Sequence, residues 1–126
     1  MSPGLVLDAG GLIALERNDR RVQSLLARAR ETGATVVVPT TVLAQVVRAP
    51  VRQVSLMRLL RQPGTVTMPL DRASASFVGQ LLGSSDTTDI ADAHVVICAR
   101  RTGHTVVTAD GDDIRHLDPA VRLLEV

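Results

Sequence analysis

Residues 5–15 read LVLDAGGLIAL and residues 106–114 read VVTADGDDI. In each, a compact apolar run ends in a carboxylate, Asp8 or Asp110, and glycine follows before a helical pattern resumes. Short apolar runs bounded by polar and turn residues, without helical period, read as buried strands. The same pattern returns at Thr35 to Val38, at Thr65 to Met68 and, more weakly, near Val121 to Leu124.

Helical patterns fill the intervals. Gly10-Gly11 reads as a sharp turn into a helix over Leu12 to Glu16. Asp19 reads as the N-cap of a second helix, with Val22, Leu25, Leu26 and Ala29 on one face and Gly33 as its stop. Thr40 or Thr41 is expected to cap a helix over Val42 to Arg48, and Val51 to Leu60 is expected to form another between Pro50 and Pro63-Gly64. Asp71 starts Arg72 to Leu82, and Gly83-Ser84-Ser85 reads as a loop. Asp89 to Arg101 is the longest apolar helix, with Gly103 as C-cap, and a short helix spans Asp112 to Leu117.

Strands alternating with helices predict an α/β domain, residues 1–126 as one unit, with a mainly parallel sheet of four to five strands covered on both faces. Ligand sites in such sheets lie beyond the carboxyl ends of the strands, near the switch in strand order. Asp8 and Asp110 stand at strand ends. The helix opened by Asp89 precedes the fourth strand, so its N-terminus lies at that same edge.

Ten of the thirteen acidic residues are Asp, and six of those ten fall in Asp86 to Asp92 and Asp110 to Asp113. Carboxylates brought to one edge from distant segments suit a hard divalent cation, which needs several oxygen ligands. The plain alternative for each residue is local: Asp89 as N-cap with Asp92 in the first turn, Asp8 in a turn, Asp110 to Asp113 as turn and cap. Together, like charges at one edge are costly unless a cation or basic partner is present.

Composition removes several function classes. One Phe, with no Trp or Tyr, leaves almost no aromatic stacking for nucleic-acid bases. All fourteen basic residues are Arg, clustered at 17, 20 and 21, at 48, 52, 58 and 61, and at 100 and 101. Such clusters suit phosphate, an acidic protein, or simply a solvated helix face. Absence of Lys argues against a P-loop nucleotide enzyme and against a response-regulator phosphoacceptor, which uses a Lys. His94, His104 and His116 lack zinc-hydrolase spacing and read as surface or capping residues. Cys98 is alone, which excludes an internal disulfide and favours a reducing, cytoplasmic setting. No apolar run approaches a membrane span of about 20 residues, and no signal peptide is expected.

The segments LVLDAGGLIAL, VPTTVLAQVVR, DIADAHVVICARRTG and VVTADGDDI, in that order, resemble the PIN domain family, and more narrowly the VapC ribonuclease toxins of type II toxin–antitoxin systems. The resemblance covers nearly the whole chain. It implies a three-layer α/β/α PIN-like domain, RNA cleavage with Mg²⁺ or Mn²⁺, a cognate antitoxin and often a homodimer. Residue by residue, it places the family's first acidic position on Asp8, the third on Asp92 with Asp89 accessory, and the fourth on Asp110 in the Thr108-Ala109-Asp110 pattern, with Asp113 a further candidate. Metal ligands would be Asp8, Asp92 and Asp110. Two positions depart from the family: Gln45 stands where Glu is usual, and Gly10 where Ser or Thr is usual. Gln offers a neutral oxygen but no charge, so Glu16 or Asp89 is a candidate for the missing role. The rival expectation is a catalytically weak PIN-like module that binds RNA or protein. Helix 51–60, with Val54, Leu56, Leu59 and Leu60 among Arg52, Arg58 and Arg61, is a candidate partner surface or an ordinary packed amphipathic helix.

Overall fold

A computed structural model describes residues 3–126. Five strands form one sheet in which every pairing is parallel: β1 (Leu5–Leu7), β2 (Val36–Pro39), β3 (Thr65–Met68), β4 (Thr105–Thr108) and β5 (Leu123–Glu125). Their order is β3-β2-β1-β4-β5. Helices α1 (Ala9–Glu16), α2 (Arg20–Thr32), α3 (Thr40–Val46) and α4 (Val54–Leu60) form one group gathered on α1, and α3 also touches the helix over Ile90–Thr102. Helices α5 (Arg72–Ser85), α6 (Ile90–Thr102) and α7 (Gly111–Leu117) form a second group. Right-handed crossovers explain the division, because β1→β2→β3 and β3→β4→β5 travel in opposite directions and so place their helices on opposite faces. The three-layer α/β/α architecture read from the sequence is the one observed, with the sheet wholly parallel.

The core follows from the strand composition. Residues of β1 and β2 are buried throughout, as are Val106 to Thr108 of β4, whereas the edge strands β3 and β5 are only partly covered. Central strands flanked by helices on both faces must be apolar on both sides, which Leu-Val-Leu and Val-Val-Val supply. Helix α6 buries seven consecutive residues, Ala93 to Ala99, so it is enclosed on all sides by the sheet, α3, α5 and α7 rather than lying on it by one face. Each fully buried Val or Leu contributes about 1.5–3 kcal/mol. None of the helices among the described residues is long and apolar enough to cross a membrane.

Several local expectations need correction. Helix α1 begins at Ala9, so Gly10 and Gly11 lie in its first turn rather than in a bend before it. Helix α3 begins at Thr40 with Pro39 at the cap position and no side-chain cap, because the two threonine hydroxyls are engaged elsewhere: Thr40 with the Leu70 N–H, Thr41 with His94. The expected helix over Val51 to Leu60 divides into one 3₁₀ turn, Pro50–Arg52, and α4. Gln53 sits at the break, where its side-chain oxygen accepts from the N–H groups of Arg48 and Ala49. Helix α5 runs through Gly83 to Ser85, and the chain leaves it at Asp86 in the left-handed conformation. By contrast the N-caps Asp19, Asp71 and Asp89 and the C-caps Gly33 and Gly103 stand where the sequence put them.

Candidate functional site

Between β1 and β4 the strand order reverses direction, and the crevice at the carboxyl end of such a pair is where open parallel sheets bind ligands. Asp8 follows β1 directly, and Asp110 follows β4 after Ala109. The start of α1 lies tightly on the end of β4. A Cβ at Gly10 would stand 2.7 Å from the Ala109 Cβ, and one at Gly11 would stand 2.7 Å from the Val107 carbonyl oxygen. Glycine at both positions therefore permits the approach that draws the Asp8 and Asp110 segments together. The space a Ser or Thr side chain would need at position 10 is occupied by Ala109.

Three of the aspartates at this edge are N-caps. Asp8 Oδ1 accepts the Gly11 N–H at 2.8 Å at the start of α1, Asp89 Oδ1 accepts the Asp92 N–H at 2.9 Å at the start of α6, and Asp110 Oδ1 accepts the Asp112 N–H at 3.2 Å at the start of α7. The local reading of Asp89 as N-cap is thus correct, whereas Asp110, read as part of a turn before a cap, is itself the cap of a helix that starts at Gly111, and Asp8, read as a turn residue, caps α1. Capping does not exhaust them, since a carboxylate offers about four lone-pair sites. Thr108, fully buried at the end of β4, bears on two of the three: its hydroxyl accepts the Asp110 N–H at 3.0 Å and draws the Asp8 carboxyl's pKa downward.

Charge is concentrated here. Asp8 is 6% exposed. Burial pushes its carboxyl above the ordinary range, hydrogen bonds from Thr108, Gly11 and Gly10 pull it back, and the Asp110 charge pushes it up again. Asp92, in the first turn of α6, is carried from its ordinary value of 3.8 to about 7, first by burial and then by the charges of Asp89, Asp8, Asp113 and Asp110. These five carboxylates come from three elements of the fold and act on one another. The ion pairs among the described residues involve only Arg100 and Arg115, so none of the five is compensated by a cationic side chain.

Hard, uncompensated carboxylate oxygens are the donor set that a divalent cation such as Mg²⁺ or Mn²⁺ prefers. Among the described residues, however, no three His, Cys, Asp or Glu side chains stand close enough together to form a ready-made metal site. Three of the carboxylates are each held toward their own helix by a capping bond, whereas the side chains of Asp92 and Asp113 have no hydrogen bond among the described residues. Gln45 lies exposed on α3. Glu16 is not drawn to the cluster: its carboxylate accepts from Gln53 Nε2 at 2.6 Å, at the junction of α3 and α4.

His94 departs from the surface and capping roles expected of the histidines. His94 is 1% exposed, neither surface nor cap; Nδ1 lies 2.7 Å from the Thr41 hydroxyl, and Nε2 has no hydrogen-bond partner among the described residues. Burial holds its pKa below the usual imidazole value. His104 accepts the Gly4 N–H, and exposed His116 meets the Ser85 carbonyl. Thr108 was visible in the sequence only as part of the Thr108-Ala109-Asp110 pattern; its bond to the Asp110 N–H and its effect on Asp8 could not be read there.

No protein-family model matches the chain, and no curated protein matches it in sequence. Solved structures match it in fold. A chain of VapBC2 from Rickettsia felis bound to a DNA fragment from their promoter superposes with a TM-score of 0.69 at 15% identity, over 96% of this chain and 97% of that one. FitAcB from Neisseria gonorrhoeae gives 0.66 at 18% identity, over 96% of each chain. DNA-bound VapBC from Salmonella typhimurium gives 0.68 at 16% identity, over 98% of each. At these identities the likeness is one of fold.

Proposed function

We propose that this chain is a metal-dependent endoribonuclease and the toxin of a toxin–antitoxin pair, using Asp8, Asp92 and Asp110 as ligands for Mg²⁺ or Mn²⁺ and Asp89 as an accessory carboxylate. The observation that carries the reading is Asp92, raised to about 7 by burial and by four like charges, with no cationic side chain paired to any of them among the described residues. Bound among these oxygens, the ion would supply charge to offset that developing on the scissile phosphate and would acidify a water. The chain's own residues prepare the place. Thr108 and the Gly11 N–H fix Asp8, α6 presents Asp92 and Asp89 from its first turn, and Gly10 and Gly11 let α1 close on β4. Asp92 changes protonation near neutral pH, so ligand uptake by this carboxylate is coupled to proton release.

Support for the partner comes from likeness of fold to chains of VapBC and FitAB complexes, which are toxin–antitoxin assemblies. A groove of about 480 Å³ lies between α2 and α4, with Leu15, Leu26 and Leu59 in its lining and Arg30 and Arg58 at its rim. It is a seat for an apolar antitoxin segment with acidic flanks, and it takes in Arg58 and Leu59 of the α4 surface singled out in the sequence. RNA as substrate, a homodimeric toxin and a cytoplasmic setting belong to the same proposal.

A second reading, a weak or inactive PIN-like binding module, is favoured by Gln45 and by the closure of position 10 against Ala109. Cleavage of a mixed pool of structured RNAs by the purified, partner-free chain separates the two. The nuclease gives cuts that require Mn²⁺ or Mg²⁺, stop with chelator and vanish in Asp92→Asn. The binding module gives none, while cuts that survive Asp92→Asn come from a contaminant.

A further inference from the structure

Carboxylates without cationic partners repel a polyanion, so an RNA reaching Asp8 and Asp92 needs positive charge at the same edge of the sheet. Seven of the fourteen arginines are elsewhere or already engaged. Arg100 pairs with Asp118 and Arg122 donates to the Gly103 carbonyl, both around a cavity of about 240 Å³ at the start of β4, the edge away from the carboxylates. Arg30 and Arg58 border the groove near Gly33 and Gly64, where β2 and β3 begin. Arg48 turns back onto the Ala44 and Val47 carbonyls, and Arg101 donates to Ser74. Arg115 is at the carboxylate edge but is held by Asp112 and Glu125.

Arg17, Arg20 and Arg21 differ from these. Helix α1 starts at Asp8, crosses the end of β4 at Gly10 and Gly11, and ends at Arg17, its C-cap; Arg20 and Arg21 then open α2. All three are exposed, and none forms an ion pair among the described residues. The acidic residue among them, Asp19, is turned inward to accept the N–H groups of Arg21 and Val22. Arg21 Nη1 reaches the Glu125 carbonyl at 3.4 Å. Glu125 pairs in register with Thr108, and its carboxylate lies against Gly111, the residue after Asp110. One contact thereby fixes the corner at the carboxyl ends of β4 and β5, on the edge that carries Asp8 and Asp110.

We infer that Arg17, Arg20 and Arg21 form the phosphate-binding side of the cleft, holding the backbone of a single-stranded RNA segment whose neighbouring phosphodiester lies at Asp8 and Asp92. The inference rests on the ribonuclease reading and names its substrate track. Guanidinium groups contact phosphate bidentately, and with no Trp or Tyr in the chain the grip is electrostatic and tolerant of sequence.

The test is the affinity of the full chain, in chelator, for a fluorescent single-stranded RNA oligonucleotide across salt concentrations. Each phosphate contact to a single strand contributes about 0.7 to the slope of log affinity against log salt. Arg17→Ala/Arg20→Ala/Arg21→Ala should therefore flatten the slope by about 2, a loss of about a hundredfold at 0.1 M salt that disappears toward 1 M. The charge-matched Arg28→Ala/Arg100→Ala/Arg122→Ala chain should move the slope far less, and replacing the three corner arginines by Lys should restore most of it. Equal losses in both alanine triples would reduce the effect to net charge and overturn the inference. So would unchanged RNA binding in the corner variant with loss of poly-glutamate binding, which would make the corner a protein-docking surface. A wild-type chain that cuts RNA while the corner variant binds normally sinks the inference alone; a folded wild-type chain that neither binds nor cuts RNA sinks the ribonuclease reading with it.

Discussion

Replacing Asp92 by Asn should stabilise the metal-free protein at neutral and alkaline pH, and the amount can be worked out. The carboxyl is raised from 3.8 to about 7, roughly 3 units, and at about 1.4 kcal/mol per unit the full linkage would be about 4 kcal/mol. The site is only half-buried, so screening by solvent brings the charge penalty to about 2 kcal/mol. Losing a negative charge in the first turn of α6 opposes this by about 0.5 kcal/mol. Repulsion wins, leaving a net gain of about 1.5 kcal/mol, or about 5 °C in Tm for a domain of this size. A carboxyl whose folded pKa lies above its unfolded one leaves the native state binding more protons between the two values, so wild-type stability falls as pH rises from about 4 to about 7. The gain from Asn should be near zero at pH 4 and complete above pH 7. Thermal melts of both chains in chelator from pH 4 to 8 measure it, and added Mn²⁺ should then raise the Tm of wild type much more than that of Asp92→Asn. A variant less stable than wild type at pH 8, or a difference that does not change with pH, would refute the claim that Asp92 sits among uncompensated like charges.

Other substitutions probe the supports of the site. Thr108→Val removes the hydroxyl that serves both Asp8 and the Asp110 N–H; it should cost about 1–3 kcal/mol in urea unfolding and weaken Mn²⁺ binding, and a change under 0.5 kcal/mol would contradict the bonding described. Gly10→Ser places atoms against Ala109 and should destabilise by about 1–3 kcal/mol without raising cleavage; a more active enzyme would show that the missing hydroxyl is catalytic. Gln45→Glu, at an exposed position, should leave stability within about 0.5 kcal/mol and tighten Mn²⁺ binding by about tenfold, 1.4 kcal/mol, in calorimetric titration. An unchanged Kd would place residue 45 outside the ligand set.

Much of the fold was legible because its punctuation is local. Aspartates at 19, 71 and 89 and glycines at 33 and 103 cap helices by bonds to the next few residues, and such bonds are written in short sequence windows. Misreadings occur where a distant partner decides. Gly10 and Gly11 look like a turn, but they are glycine because β4 lies against them, and the helix passes through. Thr40 and Thr41 look like caps, yet their hydroxyls serve Leu70 and His94. Gly83-Ser84-Ser85 looks like a loop, but both serine hydroxyls bond back to the Leu81 carbonyl and the helix runs on. At the candidate site, topology alone brings Asp8, Asp89 and Asp110 to one edge. Coupling through Thr108, the closure of position 10 and the tethering of Glu16 by Gln53 are tertiary facts that no spacing announces.

The claim that those aspartates form a metal site is tested most directly by anomalous scattering from a crystal soaked in Mn²⁺ near pH 8. The account predicts one strong peak touching the carboxylates of Asp8 and Asp92, with the Asp92 side chain turned toward Asp8 and the peak absent from Asp92→Asn crystals. Saturating Mn²⁺ with no density between Asp8 and Asp92, or ions only at exposed carboxylates such as Asp112, would contradict it.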